Sequence, residues 1–186
     1  MSPLFLVAAL LAQAPTAAEA PSPSRLSVTA AYLGEEFFHP GGQLGLEYVV
    51  ARHTWLSLVA GANLGGFVHY RYVTGLYLDA ALGARATTAS GFVVELLGDV
   101  GSLHLFPDGP VYQVPSAGGA PVQVANLGRP AFRFGGTLGL GADLARTKLE
   151  WPLSLTLRLG AFGETDFRGT AQAHPEALLC LAWQLR

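Results

Sequence analysis

Residues 152–163 read Pro-Leu-Ser-Leu-Thr-Leu-Arg-Leu-Gly-Ala-Phe-Gly, an alternation of large apolar residues with small, polar or charged ones. A helix would scatter those leucines around its circumference. A strand puts Leu153, Leu155, Leu157, Leu159 and Ala161 on one face and Ser154, Thr156, Arg158 and Gly160 on the other. The stretch is therefore a strand with one greasy side and one polar side. The same dyad recurs along the chain and predicts eight strands, at about 25–34, 42–51, 54–65, 73–87, 91–105, 131–144, 152–163 and 176–186. Each is close to the ~9–11 residues with which a tilted strand crosses a bilayer.

The connections alternate in length. Arg52-His53, Thr88-Ala89-Ser90 and Ala145 to Trp151 are short, whereas Glu35 to Gly41, Gly66 to Tyr72, Phe106 to Pro130 and Glu164 to Pro175 are longer and all fall at the opposite end. Short turns on one side and longer loops on the other are the pattern of outer-membrane barrels.

Composition points the same way. Of 186 residues, 51% are hydrophobic and 13% charged, against about 25% charged in a soluble domain that must wet its surface. No apolar run reaches the ~18 residues of a spanning helix, and a closed barrel is the other structure that can satisfy its backbone within lipid. The net charge of −2, with no basic run, gives no footprint for nucleic acid or an anionic surface. The single cysteine, Cys180, can form no intrachain disulfide, and packing is its expected role.

Sorting the two faces decides which side meets lipid. The apolar face carries Leu44, Leu46, Tyr48 and Val50, then Leu56, Leu58 and Leu64, Leu76, Leu78 and Leu82, Phe92, Val94 and Leu96, Phe132, Phe134, Leu138 and Leu140, and Leu179, Leu181, Trp183 and Leu185. The other carries Gln43, Glu47, Ser57, Asn63, Asp79, Arg85, Glu95, Asp99, Arg133, Thr137, Asp143, Thr156, Arg158, Gln184 and Arg186, interleaved with glycine. An eight-stranded lumen is just wide enough for side chains to fill it. The expected interior is thus a polar and ionic network of Glu47, Asp79, Arg85, Glu95, Asp99, Arg133, Asp143 and Arg158. The inverse arrangement, a soluble lipocalin-like barrel with leucines lining a ligand cavity, would leave Gly45, Gly61, Gly83, Gly101, Gly135, Gly139 and Gly141 as bare backbone facing water. In the fifth strand Val93, Leu97 and Leu103 share the face of Glu95 and Asp99, against the pattern.

Aromatic residues fall into two bands. Tyr48, Trp55, Phe92, Trp151 and Trp183 lie at the short-turn end, and Tyr32, Phe37, Phe38, Phe67, Tyr70, Tyr72 and Phe106 at the long-loop end, as interfacial girdles require. At the N-terminus, Leu4 to Ala12 is a short apolar core followed by the small-x-small patterns Ala12-Gln13-Ala14 and Ala18-Glu19-Ala20. Residues 1–20 are expected to be a secretory signal cleaved between about 14 and 20, and 21–186 the barrel.

With these strands and loops the chain resembles the small eight-stranded outer-membrane barrels of the OmpA transmembrane-domain and OmpX type, over Arg25 to Arg186. The resemblance is one of architecture and carries no residue motif. It implies an all-β, eight-stranded antiparallel up-and-down transmembrane barrel in the outer membrane, with short periplasmic turns and longer external loops, delivered by the barrel-insertion machinery. Such barrels usually end in an aromatic residue, whereas this sequence ends Ala182-Trp183-Gln184-Leu185-Arg186. Either Trp183 and Leu185 serve as a degenerate signal, or insertion proceeds differently. No peptidoglycan-binding domain follows the eighth strand, so tethering to the wall is not expected.

Chemistry is sparse. His39, His69, His104 and His174 gather at the long-loop end, where Asp108, Ser116, Glu164 and Asp166 could partner them in a rim-located lipid-modifying site, but polar loops collect such residues by default. No two of these histidines share an i, i+2 or i, i+4 spacing, so no metal site is expected, and no catalytic or cofactor-binding residue is assigned. Gly139-Leu140-Gly141-Ala142-Asp143 opens no helix and is not a nucleotide fingerprint. The Pro-rich loop Phe106 to Pro130 is the expected contact surface for an external partner. The expected role is structural or surface-interacting, with a side-chain-plugged lumen.

Overall fold

The computed structural model describes residues 25–116, 118–165 and 171–185. The expected signal at 1–20, Asp166 and Arg186 lie outside them. The described chain forms β1 (Leu26–Glu35), β2 (His39–Arg52), β3 (Leu56–His69), β4 (Val73–Thr87), β5 (Phe92–Pro107), β6 (Val111–Gln113), β7 (Val122–Val124), β8 (Arg129–Asp143), β9 (Leu153–Thr165) and β10 (Ala171–Gln184). Eight of these close into a barrel in the order β1-β10-β9-β8-β5-β4-β3-β2, and β6 and β7 pair separately as a hairpin. Every barrel pairing is antiparallel, and the seam joins β1 to β10 from Ser27↔Gln184 to Glu35↔Glu176.

The alternation resolves as two surfaces. Leu44 (64% exposed), Leu64 (61%), Leu96 (63%), Leu138 (56%) and Leu157 (50%) stand on the outside. Glu47, Asp79, Glu95, Arg133, Thr137, Thr156 and Arg158 are buried within. This rules out the soluble reading, in which those leucines would line a cavity. A contiguous apolar outer wall of this size is stable only against hydrocarbon. The anomaly in β5 is explained as well. Val93, Leu97 and Leu103 do point inward, and all three are buried. Leu103 joins an apolar layer with Leu33, Phe67, Tyr77, Leu105, Ala131, Phe162, Leu178 and Cys180, while Leu97 packs with Val49 and Val59. The lumen is thus polar in part and apolar in part. Phe67, expected in a girdle, is buried in this layer because it occupies an inward position on β3.

The strands run further toward the long-loop end than the sequence suggests. Segments expected as loops at 35–41 and 66–72 are mostly strand, leaving the turns 36–38 and 70–72. Pro40, Gly41, Gly42, Gly65 and Gly66 look like loop residues, yet the β1–β2 and β2–β3 ladders pass through them. β4 and β5, at 15 and 16 residues, are longer than the ~9–11 needed to cross a bilayer. The real excursion is the segment between β5 and β8, which carries the β6–β7 hairpin. Its base is pinned: Asn126 Nδ2 donates to the Pro107 carbonyl at 2.7 Å, Asn126 Oδ1 accepts from the Gly128 amide at 3.1 Å, and His104 Nε2 meets the Leu127 carbonyl at 2.8 Å. At the opposite end the turns are tight. Gly91 (φ +89°) permits the Thr88–Phe92 reversal, in which Thr88 Oγ1 accepts from the Phe92 amide at 3.0 Å. After β8, Asp143 caps a single 3₁₀ turn, Leu144–Arg146, by accepting from the Ala145 amide at 3.2 Å.

Gly83 shows the packing role of glycine on the inward face. A Cβ on Gly83 would land on the Leu96 carbonyl oxygen of the neighbouring strand, whereas on the outward-facing Gly98 its nearest neighbour would be 3.8 Å away. Gly83→Ala should therefore destabilise by roughly 1–3 kcal/mol through overpacking, and Gly98→Ala by less than about 0.5 kcal/mol. Urea titration in lipid vesicles reads both, and equal losses would contradict this placement.

Candidate functional site

The polar residues of the lumen gather into two ionic groups. In the first, Arg85 lies between Glu47 and Glu95: its Nη1 and Nη2 grip the two Glu47 oxygens as a fork, with Nη2 to Oε2 at 2.6 Å, while Nε and Nη2 donate to Glu95 Oε2 at 2.8 and 2.7 Å. Arg158 Nε donates to the other Glu95 oxygen at 2.6 Å, and Arg158 Nη2 lies 3.6 Å from Glu47. Two guanidinium groups against two carboxylates make this group electrically balanced. These residues come from β2, β4, β5 and β9, so the group ties opposite walls of the barrel together. Paired, bidentate geometry is what permits charge inside a low-dielectric tube.

The second group is built around Arg133 of β8. Its Nη1 reaches Asp79 Oδ2 at 2.5 Å and Asp99 Oδ1 at 2.7 Å, and its Nη2 reaches Glu176 Oε2 at 2.9 Å. The guanidinium sits between two rings, with its central carbon 4.4 Å from the Tyr77 centroid and 4.6 Å from that of Phe162. Asn63 Nδ2 donates to Asp79 Oδ1 at 2.7 Å, and Tyr77 donates to Gln43 Oε1 at 2.9 Å. Three carboxylates share one cation, so Arg133 is the hub. Glu176 enters the network although its position near a predicted strand start hid its inward register from the sequence.

Of the residues expected in the ionic network, the structure thus brings Glu47, Arg85, Glu95 and Arg158 into one group and Asp79, Asp99 and Arg133 into another. Asp143 stands apart at the short-turn mouth, where it accepts from Gln184 Nε2 at 3.2 Å and lies 3.5 Å from Arg146 Nε. Tyr48, Trp55, Trp151 and Trp183 all project outward at that end.

The long-loop mouth holds a third cluster. Glu35, His39, His69 and His174 are inward positions near the ends of β1, β2, β3 and β10, four neighbours around the barrel. His174 Nδ1 donates to Glu35 Oε1 at 2.7 Å, and His39 Nδ1 lies 2.8 Å from Glu35 Oε2. The His39 and His69 rings stack with centroids 3.5 Å apart, and His174 stacks on Phe162 at 4.8 Å. Glu36, in the adjoining turn at φ +47°, brings its carboxylate to 3.7 Å from His39 and 3.8 Å from His174. Glu35, Glu36, His69 and His174 line a vestibule of about 530 Å³ that also borders Arg129 and Glu164, themselves paired at 3.0 Å. Of the four histidines expected together, three converge here. His104 faces the outer wall instead and is tied to the Leu127 carbonyl and to Phe106. The acids in direct contact with the three are Glu35 and Glu36, while Glu164 borders the same vestibule and acts on His174 through space.

No protein-family model and no curated protein matches the chain. Among solved structures it is similar to Neisserial surface protein A, NspA, at 12% identity over 86% of this chain and 96% of that one, with a TM-score of 0.51. The fold is that of a small outer-membrane barrel. Other matches are the N-terminal β-barrel domain of Pseudomonas aeruginosa OprF, at 13% identity over 88% of this chain and 100% of that one (TM-score 0.44), and the outer membrane enzyme PagL, at 13% over 86% and 99% (TM-score 0.47). At these identities the likeness concerns the fold alone.

Proposed function

We propose that this barrel sits in the outer membrane as a non-conducting, non-enzymatic scaffold that presents the β6–β7 segment at the cell surface. The paired charges and apolar layers packed inside the barrel support the non-conducting part of this reading. Among the described residues, two cavities beside the ionic groups are small, about 40 Å³ beside Glu47 and Arg85 and about 20 Å³ beside Glu47 and Arg158. Such spaces hold a water or a few at most. Cavities of this size are too small for a hydrated ion to pass unless the salt bridges part. Support for surface presentation is the exposure of Tyr112 (59%), Val122 (50%) and Leu127 (78%) on a segment whose base is held by Asn126 and His104. Apolar side chains on an anchored, protruding loop suit contact with another macromolecule. Tyr48, Trp55, Trp151 and Trp183 would anchor the opposite rim at the lipid headgroups, and an N-terminal signal and the barrel-insertion machinery would deliver the chain there.

Purified protein reconstituted in planar lipid bilayers should give no stepwise current, and fractionated cells should hold it in the outer-membrane pool. Steady single-channel conductance by the wild type would overturn the sealed-lumen reading. Recovery in the inner-membrane or soluble pool would overturn the location.

A further inference from the structure

The histidine and glutamate cluster at the long-loop mouth has more donors than its own hydrogen bonds consume. Glu35 is fully buried, yet its Oε2 has no hydrogen-bond partner, and neither has His39 Nδ1, although the two atoms face each other at 2.8 Å. A buried carboxylate oxygen left unsatisfied costs free energy unless something else meets it. The two atoms approach to ion-pair distance without aligning as donor and acceptor, so each keeps the capacity to bind a shared cation. His69 Nδ1 lies 3.8 Å from that same Glu35 oxygen, and Glu36 Oε2 lies 3.7 Å from His39 Nδ1. One ligand atom from each of Glu35, Glu36, His39 and His69 falls within 4.8 Å of all the others.

We propose that Glu35, Glu36, His39 and His69 form a binding site for a divalent transition-metal ion, of which zinc is the best fit. Two imidazoles and two carboxylates suit a borderline-soft ion, whereas calcium and magnesium favour all-oxygen shells. With bonds of about 2.0–2.2 Å, a tetrahedral zinc ion sets its ligand atoms about 3.3–3.6 Å apart. The separations of 2.8, 3.7 and 3.8 Å straddle that spacing, so small side-chain rotations close the shell. An outer shell is already built. His174 Nδ1 donates to the second oxygen of Glu35 at 2.7 Å, fixing the plane of the ligating carboxylate, and Phe162 stacks on His174 to hold it there. The ion would staple the ends of β1, β2 and β3, and the vestibule above gives it an entry path. The alternative occupant of the cluster is a proton, with charged histidines simply pairing with the two glutamates.

The test uses the protein folded in detergent micelles and stripped with a chelator, titrated with zinc chloride by calorimetry and with cobalt(II) by visible absorption. Expected are one saturable zinc per chain and an intense visible cobalt spectrum of tetrahedral type. His39→Ala and His69→Ala should each weaken zinc binding at least tenfold. His174→Ala, which removes the orienting hydrogen bond to Glu35 but none of the four ligands, should weaken it about 10–100-fold. His104→Ala, on the outer wall, should leave it unchanged. Absence of stoichiometric zinc uptake, or zinc affinity in the His39→Ala/His69→Ala double variant equal to wild type, overturns the proposal. So does a weak, octahedral-type cobalt spectrum, a reading that needs only the wild-type protein and is independent of whether any variant folds.

Discussion

Arg133→Met should destabilise the barrel by about 3–5 kcal/mol, the largest loss expected of any single lumen substitution. Methionine fills much of the space but supplies no donor, so Asp79, Asp99 and Glu176 would face one another with no cation between them. The cost of such a deletion comes chiefly from the buried charges that no longer have a partner. A second substitution makes the point separable. In the wild type, Asp99→Asn should cost little, because Arg133 keeps Asp79 and Glu176 at 2.5 and 2.9 Å. In the Arg133→Met background, the same change removes one of the repelling carboxylates and should restore part of the lost stability. That reversal of sign is a coupling energy of the kind a double-mutant cycle measures. Urea titrations of the four proteins in vesicles supply it. Equal, additive losses would mean that Arg133 contributes packing against Tyr77 and Phe162 and little else.

Leu157→Arg should cost ~2–4 kcal/mol on the other surface of the wall, where the penalty for a cation depends on depth in the bilayer. Leu157 is half exposed on β9, beside Leu140 of β8 and Leu179 of β10, well inside the band between the two ends. Leu157→Ala keeps the surface apolar and should fold close to wild type. The immediate neighbour offers an internal control: Arg158, one residue on, points inward to Glu95 and is tolerated because it is paired. Heat-sensitive gel mobility follows folding of each variant. If Leu157→Arg folds into vesicles as well as the wild type, the leucine wall does not face hydrocarbon.

The barrel itself was legible because one period-2 pattern carries all the information a membrane strand needs: the residue at every second position must be apolar on the lipid side. Strand limits at the long-loop end were not, since Pro40, Gly41 and Gly66 carry turn signals that ladder pairing overrides, on both sides for Gly41 and Gly66 and on the β1 side for Pro40. The ionic lumen was legible as a set of residues but not as two groups, because the choice of partner depends on stagger between strands. Arg133 meets Asp79 across 54 positions of sequence. The histidine cluster was legible only as a gathering of His39, His69, His104 and His174 at one end, not as three of them converging on Glu35. His39, His69 and His174 share no ligand spacing, and what assembles them is the register of four adjacent strands around Glu35.

The seam between β1 and β10 sets how such a chain must mature. The bond from His174 to Glu35 spans 139 positions of sequence, and until the last strand arrives the first has no partner on that side. Every earlier stage of assembly leaves two raw edges able to pair with a foreign chain. Contacts this distant are also the slowest to form. Closure therefore comes with β10, and a chain lacking it would keep two unpaired edges rather than form a smaller closed barrel.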